Sequence, residues 1–382
     1  MAKEGSDFLK ILIPDGESHL VISVINCLQE NKKHHLYILS NTRNNPVKVS
    51  RFVKIFIVDT TTKDNDTQFA TTINQIIQQH AIDIIMPVFE FGIKRIIKIQ
   101  NNLLPKARLV PLPDLDVFTI ANNKWNLYQY CCQYQFPVPR SYHTDEVVQA
   151  TDKKNYKFPL ITKPLEGFGG GIGISLLQTP QELSEFLQQN KDPRIFQEYI
   201  TGYDIDCSLL ALKGTIISYT IQKGLAQNHL NFKPSKGISF EENPVVYTQV
   251  QKLIASLNYT GIAHIDMRFD SVENNFKILE INPRAWLTIM GSYKAGVNFI
   301  WQWIRTSAKD NFQNSTFKTN LKYYNRKRDI LKMIFKKPVL LFNYSFFKNQ
   351  TPIFFMLRDP LPVMYRALDS FKNVLLKKLK RS

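Results

Sequence analysis

Residues 261–284 combine acidic, amide and basic side chains at a spacing that could bind a metal ion. The stretch GIAHIDMRFDSVENNFKILEINPR predicts two alternating strands joined by a polar turn at 271–275. A turn centred on Glu273 places Asp266 opposite Glu280 and His264 opposite Asn282. Strand side chains alternate between two faces, so the apolar residues are expected to share a core face made of Ile265, Met267, Phe269, Leu279 and Ile281.

The predicted polar face also includes Arg268 and Arg284, and its chemistry favours a divalent cation. Opposed carboxylates repel each other unless a cation lies between them. Mg²⁺ binds one or two carboxylates and an amide oxygen, and completes its shell with water and nucleotide phosphates. A salt-bridged sheet face exposed to water is the alternative. The prediction depends on register, because a slip of one residue would turn Asp266 away from Glu280.

A glycine-rich loop upstream of this hairpin could cover phosphate groups. Residues 163–173 read KPLEGFGGGIG, with five glycines within seven residues between two predicted strands. Glycine lets backbone N–H groups approach a phosphate, and Lys163 at the loop entrance adds a positive charge. The loop is not a Walker A motif, because no Gly-Lys-Ser/Thr follows and the next element is a strand. A hairpin loop that is merely flexible is the alternative.

The segment QEYITGYD at 197–204 leaves a predicted strand through a turn at Gly202. Carbonyl oxygens and free backbone groups at such a strand exit can hydrogen-bond the amino edge of adenine. The carboxylate of Asp204 could accept hydrogen bonds from ribose hydroxyls. A strand end with solvated acidic residues is the alternative.

Composition and cysteine use predict a globular protein of a reducing cytoplasm. A chain of 382 residues with 44% apolar content can form two or three packed units. The four cysteines show neither a CxxC spacing nor a framework of pairs, which argues against a zinc site and a disulfide scaffold. The polar start MAKEGSDFLK lacks a signal-peptide pattern, and no apolar run reaches transmembrane length.

The net charge of +17 is concentrated near the C-terminus. Residues 309–382 hold 17 Lys and Arg against four Asp and Glu, a net charge of +13, which leaves +4 for the preceding residues. Without a Cys/His finger, an aromatic RNA-binding run or a helix-turn-helix pattern, nucleic-acid binding is not expected. Residues 362–380 have helical apolar spacing with a basic face. Docking of this helix onto the protein's own core is favoured, and contact with an acidic partner or with the inner face of an anionic membrane is the alternative.

The first 110 residues alternate short apolar runs with helical patterns, which predicts a parallel sheet covered by helices. Strands are expected at 10–14, 36–39, 53–58 and 82–88, and helices at 20–29 and 71–80. Ligands of such sheets bind at the carboxyl ends of the strands, where Asp15 and residues 89–92 would lie. No G-x-G-x-x-G follows the first strand, so a scaffold or substrate-side role is expected instead of dinucleotide binding.

A second α/β unit follows a predicted proline-rich linker at 105–113. One helix is expected at 116–135, with Lys124 inside it. Thr179 is expected to cap a further helix, with Pro180 at its first position. The remaining predicted elements are strands at 160–163, 174–177, 194–200, 206–212 and 216–221 and a helix at 245–257.

In this order the two lysines, the glycine loop, the QEYITGYD segment and the D…E-x-N-x-R hairpin resemble the ATP-grasp superfamily, in particular its biotin-carboxylase-like and carbamoyl-phosphate-synthase-like domains. The resemblance runs from about 111 to 307. It implies an α/β and α+β protein with an N-terminal parallel-sheet pre-ATP-grasp domain at 1–110. A two-subdomain ATP-grasp fold at 111–308, divided after 193, and a basic helical extension at 309–382 would follow.

The resemblance also implies nucleotide-binding residues. Lys124 and Lys163 match the lysines that hold ATP phosphates, with Lys163 also catalytic. The implied phosphate-covering loop includes Gly169, Gly170 and Gly171. The implied adenine connector consists of Gln197, Glu198, Tyr199 and Ile200, and Asp204 occupies the ribose position. Gln197 stands where many relatives have Glu, and Glu is also commoner at the Asp204 position.

Metal and catalytic positions are implied in the same way. Asp266, Glu280 and Asn282 match the Mg²⁺ ligands, and Arg284 matches a catalytic arginine near the transferring phosphoryl group. His264 sits where D-alanine ligases place an arginine, which argues against that activity.

The resemblance implies a cytoplasmic ligase that uses ATP and one or two Mg²⁺ ions, with Mn²⁺ as a substitute. The implied reaction activates a small-molecule carboxylate as an acyl phosphate, couples it to an amine, and releases ADP and phosphate. A homodimer is one expected assembly. The alternatives are a kinase or acylphosphate-forming enzyme of the same fold, and a non-catalytic module that binds a membrane or an acidic partner. Substrate contacts are expected in the loop 222–239, at Lys223, His229, Lys233 and Lys236, with a basic solvated loop as the favoured alternative.

Overall fold

A computed structural model describes residues 8–29, 34–60, 65–149, 156–167, 171–225, 235–308 and 316–379, without the side chains of 373–379. The chain forms two compact units. The first contains the described parts of Met1–Leu112, Arg284–Ser315 and Lys327–Ser382. The second contains those of Pro113–Pro283 and Thr316–Arg326.

The first unit is built on a parallel sheet, as the sequence predicts. Its five strands lie in the order β3-β2-β1-β4-β5. They are β1 (Lys10–Ile13), β2 (His35–Ser40), β3 (Val53–Val58), β4 (Ile84–Ile85) and β5 (Arg108–Leu109). The helices that follow the early strands are α1 (Val21–Gln29), α2 (Asp66–His80) and α3 (Glu90–Ile99). A core of buried aliphatic side chains lies between the sheet and α2, including Leu12, Ile73, Ile77 and Ile85.

Two boundaries in this unit differ from the predictions. Helix α2 begins five residues before the expected start, because Asn65 caps it by accepting a hydrogen bond from Gln68 N at 2.9 Å. The predicted linker at 105–113 contributes β5, which pairs with β4 in parallel. The prolines on either side of Arg108 and Leu109 hid this short edge strand, since proline argues against a strand in sequence analysis.

Asp15, at the carboxyl end of β1, binds the backbone of the chain that leads into α3. Its buried carboxylate accepts hydrogen bonds from Val88 N at 2.9 Å and Phe89 N at 2.7 Å. Burial raises the pKa of this group to about 7. Asp15 thus fixes the chain at the start of α3.

The second unit begins with two helices where the sequence suggested one. They are α4 (Leu115–Asn122) and α5 (Lys124–Gln133). Asn123 interrupts the helical path with an extended backbone and caps α5, because its side chain accepts from Trp125 N at 3.0 Å and Asn126 N at 3.1 Å. Lys124 is therefore the first residue of a helix.

A four-stranded antiparallel sheet follows in the order β6-β9-β7-β8. It contains β6 (Ser141–His143), β7 (Leu160–Pro164), β8 (Ser175–Leu177) and β9 (Arg194–Glu198), with α6 (Thr144–Gln149) and α7 (Pro180–Gln189). Thr179 caps α7 through Glu182 N at 3.1 Å, which confirms the predicted helix start. Leu160, Leu183 and Phe196 form part of the core between this sheet and α7.

A six-stranded antiparallel sheet completes the second unit in the order β14-β13-β10-β11-β12-β15. It contains β10 (Gly202–Leu212), β11 (Thr215–Gly224), β12 (Ile238–Phe240), β13 (Gly261–Asp270), β14 (Asn275–Asn282) and β15 (Lys322–Tyr323), with α8 (Pro244–Ser256) before β13. Strand β15 lies in the extension predicted to be helical, and it pairs with β12.

The hairpin β13–β14 has the predicted register where the polar residues lie. His264 pairs with Asn282, and Asp266 pairs with Glu280. A bulge then shifts the register, so that Met267 pairs with Ile278. Of the residues predicted for the core face, Ile265, Met267 and Ile281 are buried, whereas Phe269 and Leu279 are only partly buried.

The remaining helices of the first unit follow Arg284. They are α9 (Ile289–Ala295), α10 (Phe299–Ser307), α11 (Lys327–Lys336), α12 (Tyr344–Gln350), α13 (Ile353–Arg358) and α14 (Leu361–Leu379), with a 3₁₀ helix at Pro338–Phe342. The described helices include none that combines the length and apolar character needed to cross a membrane. Helix α14 contacts other parts of the first unit through polar side chains. Its apolar residues Leu361, Met364, Leu368 and Phe371 are exposed, so the structure does not show the predicted docking of an apolar face on the core.

Candidate nucleotide and metal site

Lys124 and Glu280 form an ion pair on the second unit. The first turn of α5 directs Lys124 Nζ to within 3.2 Å of Glu280 Oε2 on β14. The backbone N–H of Lys124 donates to Leu165 O at 2.9 Å, which ties the helix start to the chain that enters the glycine loop. Two predicted site residues that are far apart in sequence therefore meet.

The predicted metal ligands lie together at the end of the β13–β14 hairpin. Asn282 Nδ2 donates to Asp266 Oδ2 at 3.2 Å and to Glu280 Oε1 at 3.3 Å. The three side chains occupy one face because their strand positions are paired or two apart. A half-turn of the Asn282 amide would direct its Oδ1 at a cation between the two carboxylates.

A third strand adds polar groups that the sequence analysis did not single out. Asp206 on β10 pairs with Asp266 across the sheet, and Ser208 pairs with His264. His264 Nδ1 is 2.8 Å from Ser208 Oγ, and His264 Nε2 is 3.1 Å from Asp266 Oδ1 and 3.9 Å from Asp206 Oδ2. Gln222 Nε2 donates to Asp206 Oδ2 at 3.1 Å. In the sequence, the alternation of Asp204, Asp206 and Ser208 with other residues could have indicated a polar face on this strand.

The carboxylates of this face differ in the ease with which they ionise. Burial, with repulsion from Glu280, raises the pKa of Asp266 to about 6. Burial, with repulsion from Asp266, raises the pKa of Asp206 to about 7. Burial acts in the same direction on Glu280, but the positive charges of Lys124 and Lys163 outweigh it and lower the pKa of Glu280 well below its usual range.

This donor set fits a hard divalent cation. Two carboxylates and an amide on one strand pair supply the oxygen ligands that Mg²⁺ prefers. Burial and repulsion between neighbouring carboxylates both raise the pKa values of Asp206 and Asp266. A cation beside Asp266 would relieve that repulsion.

Lys163 on β7 lies at the entrance of the glycine loop, as predicted. Its buried Nζ donates to Gln197 Oε1 at 3.2 Å, and Gln197 Nε2 donates to Ser141 Oγ at 3.0 Å. Burial, with repulsion from Lys124, lowers the pKa of Lys163 below its ordinary value, although Glu280 and Asp266 oppose this change. The Gln197 side chain is therefore hydrogen-bonded to both Lys163 and Ser141, and a contact with adenine would be additional.

The predicted adenine connector is held by backbone hydrogen bonds. Glu198 N donates to Arg140 O at 2.9 Å, and Tyr199 N donates to Pro159 O at 3.1 Å. Ile200 is buried at the end of this segment. The connector therefore has a fixed backbone path beside the four-stranded sheet.

Arg268, which the sequence places on the polar face of the hairpin, contacts this connector. Its guanidinium donates to Ile200 O at 2.6 Å and to Gly202 O at 3.1 Å, and it forms an ion pair with Asp204. The predicted ribose residue is thus oriented by an arginine from β13. The nearby Tyr199 ring lies 5.5 Å from the Arg268 guanidinium carbon.

Several predicted positions lie elsewhere or outside the described residues. Gly169 and Gly170 fall outside them, whereas Gly171 is described and has a φ of 80°, which favours glycine. Of the predicted substrate contacts, His229 and Lys233 also lie outside, and Lys223 Nζ is 3.6 Å from the centroid of the Tyr203 ring.

Arg284 belongs to the first unit, where it is buried and donates through Nε to Glu90 Oε1 at 2.6 Å. Its Nη1 donates to Ala285 O at 2.8 Å. The acidic residue at the start of α3 is a partner that the sequence analysis missed. The catalytic role of Arg284 stays a prediction.

The fold and this arrangement of residues are similar to those of a known domain family. Residues 121–288 match the family model described as ATP-grasp domain. The match confirms the resemblance found in the sequence, and the sheets described above confirm the predicted fold class.

Individual relatives are distant. The chain is similar to the D-aspartate ligase of Enterococcus faecium (strain Aus0004), with 21% identity over 267 residues that cover 63% of this chain and 62% of the relative. It thus spans about three fifths of that relative's length.

Two solved structures resemble the fold. N5-carboxyaminoimidazole synthetase from Staphylococcus aureus, complexed with ADP, has a TM-score of 0.67 and 14% identity, with 86% of each chain covered. The L-amino acid ligase from Bacillus licheniformis has a TM-score of 0.59 and 15% identity, with 80% of this chain and 74% of that chain covered. At these identities the likeness supports the fold alone.

Proposed function

We propose that this protein is an ATP- and Mg²⁺-dependent ligase that couples a carboxylate to an amine and releases ADP and phosphate. The observation that carries the proposal is the meeting of Lys124 with Glu280, beside Asp266 and Asn282, on one sheet face of an ATP-grasp domain. Phosphoryl transfer from ATP needs this combination of fixed positive charge and oxygen ligands for magnesium.

The nucleotide would be bound by residues of both antiparallel sheets of the second unit. Lys124 and Lys163 would neutralise phosphate oxygens, and the connector Gln197–Ile200 would present backbone groups to adenine. Asp204, oriented by Arg268, would accept hydrogen bonds from ribose hydroxyls. Asp266, Glu280 and Asn282 would hold one or two magnesium ions, which supply positive charge that offsets the phosphates when bound.

Charge explains why the proposed reaction needs these groups. A carboxylate oxygen that attacks the γ-phosphorus of ATP brings one anion to another, and ADP leaves as the new oxygen–phosphorus bond forms. Fixed cations such as Lys124 and Lys163 stabilise the transferring charge because they need no reorganisation. The glycine loop that begins after Lys163 would exclude water from the acyl phosphate. The amine nitrogen then attacks the acyl carbon, loses a proton, and displaces phosphate. We also propose that Arg284 acts on the transferring phosphoryl group, as its family position implies.

We propose an amino acid as at least one of the two substrates. The named activity of one similar protein, a D-aspartate ligase, supports this class. An amino acid could supply either the carboxylate or the amine. The Asp206–His264 pair adds polar groups beside the proposed metal ligands, which suits a charged substrate.

The test is a substrate screen with two simultaneous readouts. The protein is incubated with ATP, MgCl₂ and pools of D- and L-amino acids with other carboxylates and amines, and ADP, phosphate and amide products are measured. We expect ADP and phosphate only when a carboxylate and an amine are both present, with a new amide in the mass spectrum.

Two variants on the same hairpin make the test specific. Glu280→Gln removes a proposed metal ligand and should abolish turnover, whereas Glu273→Gln in the exposed turn of the hairpin should leave it unchanged. AMP and pyrophosphate as products would contradict the proposal. ADP with a phosphorylated acceptor and no amide would favour a kinase of the same fold.

A further inference from the structure

The C-terminal part of the first unit exposes an unusual amount of apolar surface. Half of the 22 large apolar side chains that are exposed among the described residues lie between 331 and 371. That segment is about a tenth of the chain. Exposed apolar side chains that are concentrated in one part of a unit indicate an interaction surface.

The first group of these side chains lies on α11 and the 3₁₀ helix after it. Phe335 is 83% exposed and Phe342 is 88% exposed. The neighbouring exposed apolar side chains are Leu331, Val339, Leu341 and Tyr344. We call residues 331–344 the apolar-basic segment, because exposed Lys332, Lys336 and Lys337 lie among these side chains.

The second group lies on α14, and its position is the reverse of ordinary helix docking. The helix contacts the first unit through polar groups, since Tyr365 OH donates to Asn44 Oδ1 at 2.5 Å and Asn44 Nδ2 donates to Asp369 Oδ1 at 3.2 Å. The apolar stripe at helical spacing, made of Leu361, Met364, Leu368 and Phe371, is between 51% and 69% exposed. Docking has thus left an apolar face uncovered.

Charge indicates which partner suits both exposed groups. Residues 309–382 carry a net charge of +13, so a second copy of the chain would bring like charge against like charge. A nucleic acid would neutralise the lysines but would give the Phe and Leu side chains no apolar phase. An anionic lipid leaflet offers negative headgroups and hydrocarbon at one surface.

We propose that the apolar-basic segment and the exposed stripe of α14 bind the surface of an anionic membrane. The described helices contain no membrane-spanning candidate, so the mode is peripheral: the Phe and Leu side chains enter the headgroup boundary while the lysines contact lipid phosphates. The surface lies outside every residue assigned to the nucleotide or the metal, so the proposal does not depend on the ligase activity.

The test is flotation of the full-length protein with lipid vesicles. Vesicles of phosphatidylcholine alone are compared with vesicles that also contain phosphatidylglycerol. We expect binding to the anionic vesicles only, and loss of most of it when salt rises from about 0.1 M to about 1 M, because the Debye length falls from about 10 Å to about 3 Å.

Surface variants separate the apolar and the charged contributions. Phe335→Ser with Phe342→Ser should weaken binding at least about tenfold, because each large apolar side chain contributes substantially to partition. Lys336→Glu with Lys337→Glu should do the same. Val272→Ser, at an 81% exposed position in the second unit, is the matched control and should bind like the unchanged protein. All of these positions are exposed, and unchanged circular dichroism and melting temperature check folding.

Other outcomes overturn the proposal. Equal binding to neutral and anionic vesicles, no binding to either, or binding that survives both double variants would each do so. A dimer in analytical ultracentrifugation that dissociates with Phe335→Ser and Phe342→Ser would assign the surface to a second copy instead. Binding to RNA that is insensitive to the Phe substitutions, without vesicle binding, would assign the lysines to nucleic acid.

Discussion

Lys124 Nζ lies 3.2 Å from Glu280 Oε2, so the first residue of α5 neutralises a carboxylate at the end of β14. The pair joins the predicted phosphate-binding lysine to a predicted metal ligand. It is mostly buried, which strengthens its electrostatic effect relative to a surface ion pair.

Replacement of Lys124 tests this relationship. Lys124→Met should weaken binding of a fluorescent ADP analogue with MgCl₂ by at least about tenfold, and should lower ADP release by about 10²–10³-fold once a substrate pair is known. The reason is the loss of a positive charge from both the phosphates and Glu280. Lys252→Met, at an exposed position on α8, is the control. Unchanged nucleotide affinity for Lys124→Met would show that the pair is purely structural.

Gln197 should influence nucleotide binding through Lys163. Gln197→Leu removes the acceptor of the buried Lys163 ammonium, and one lost hydrogen bond to a charged group is worth about 1.5–3 kcal/mol. We expect roughly tenfold or greater loss of ADP affinity by isothermal titration calorimetry. Gln197→Glu should retain binding, because a carboxylate also accepts from Lys163. Gln181→Leu, on the exposed face of α7, is the control, and wild-type affinity for Gln197→Leu would contradict the prediction.

Arg268 should be required for the shape of the adenine connector. Lysine lacks the planar fork that reaches Ile200 O, Gly202 O and Asp204 together, so Arg268→Lys is expected to destabilise the protein by about 1–3 kcal/mol. Differential scanning calorimetry should show a lower Tm, and added ADP should raise that Tm less than in the unchanged protein. Arg140→Lys, at an exposed position, should change neither quantity. If ADP raises the Tm of Arg268→Lys as much as that of the unchanged protein, Arg268 does not contribute to nucleotide binding.

Magnesium should stabilise the protein more at alkaline than at acidic pH. The pKa of Asp266 in the folded protein is about 6, above its ordinary value of 3.8, because burial and Glu280 disfavour its charge. Without a cation, ionisation of this group therefore lowers the free energy of unfolding as pH rises from about 4 to about 6. A bound cation favours the ionised form, so protons compete with the metal below this range.

Thermal melts with and without MgCl₂ check this pH dependence. The increase in Tm that MgCl₂ causes should be larger at about pH 8 than at about pH 5. Asp266→Asn should remove most of the effect, whereas Glu273→Gln in the exposed turn should keep it. An equal increase at both pH values would contradict the assignment of Asp266 as a metal ligand.

Much of the candidate site follows from the sequence because its signals are local. The period-two pattern and polar turn of 261–284 predict the pairs Asp266–Glu280 and His264–Asn282, and the structure confirms both. Thr179 and Pro180 similarly predict a helix start, because capping depends on residues within one turn. The first 110 residues alternate strand and helix patterns, each of which depends on neighbouring residues, and this alternation predicts the parallel sheet.

Only the tertiary structure decides which distant elements become neighbours. The sequence does not reveal that β10 brings Asp206 and Ser208 beside His264, because strand order depends on packing of the whole sheet. The same holds for the contacts of Arg268 with the connector and of Arg284 with Glu90. The apolar spacing of α14 predicts an amphipathic helix, but local periodicity does not specify which face a helix buries. Long-range polar contacts through Tyr365 and Asp369 fix α14 and leave its apolar stripe in solvent.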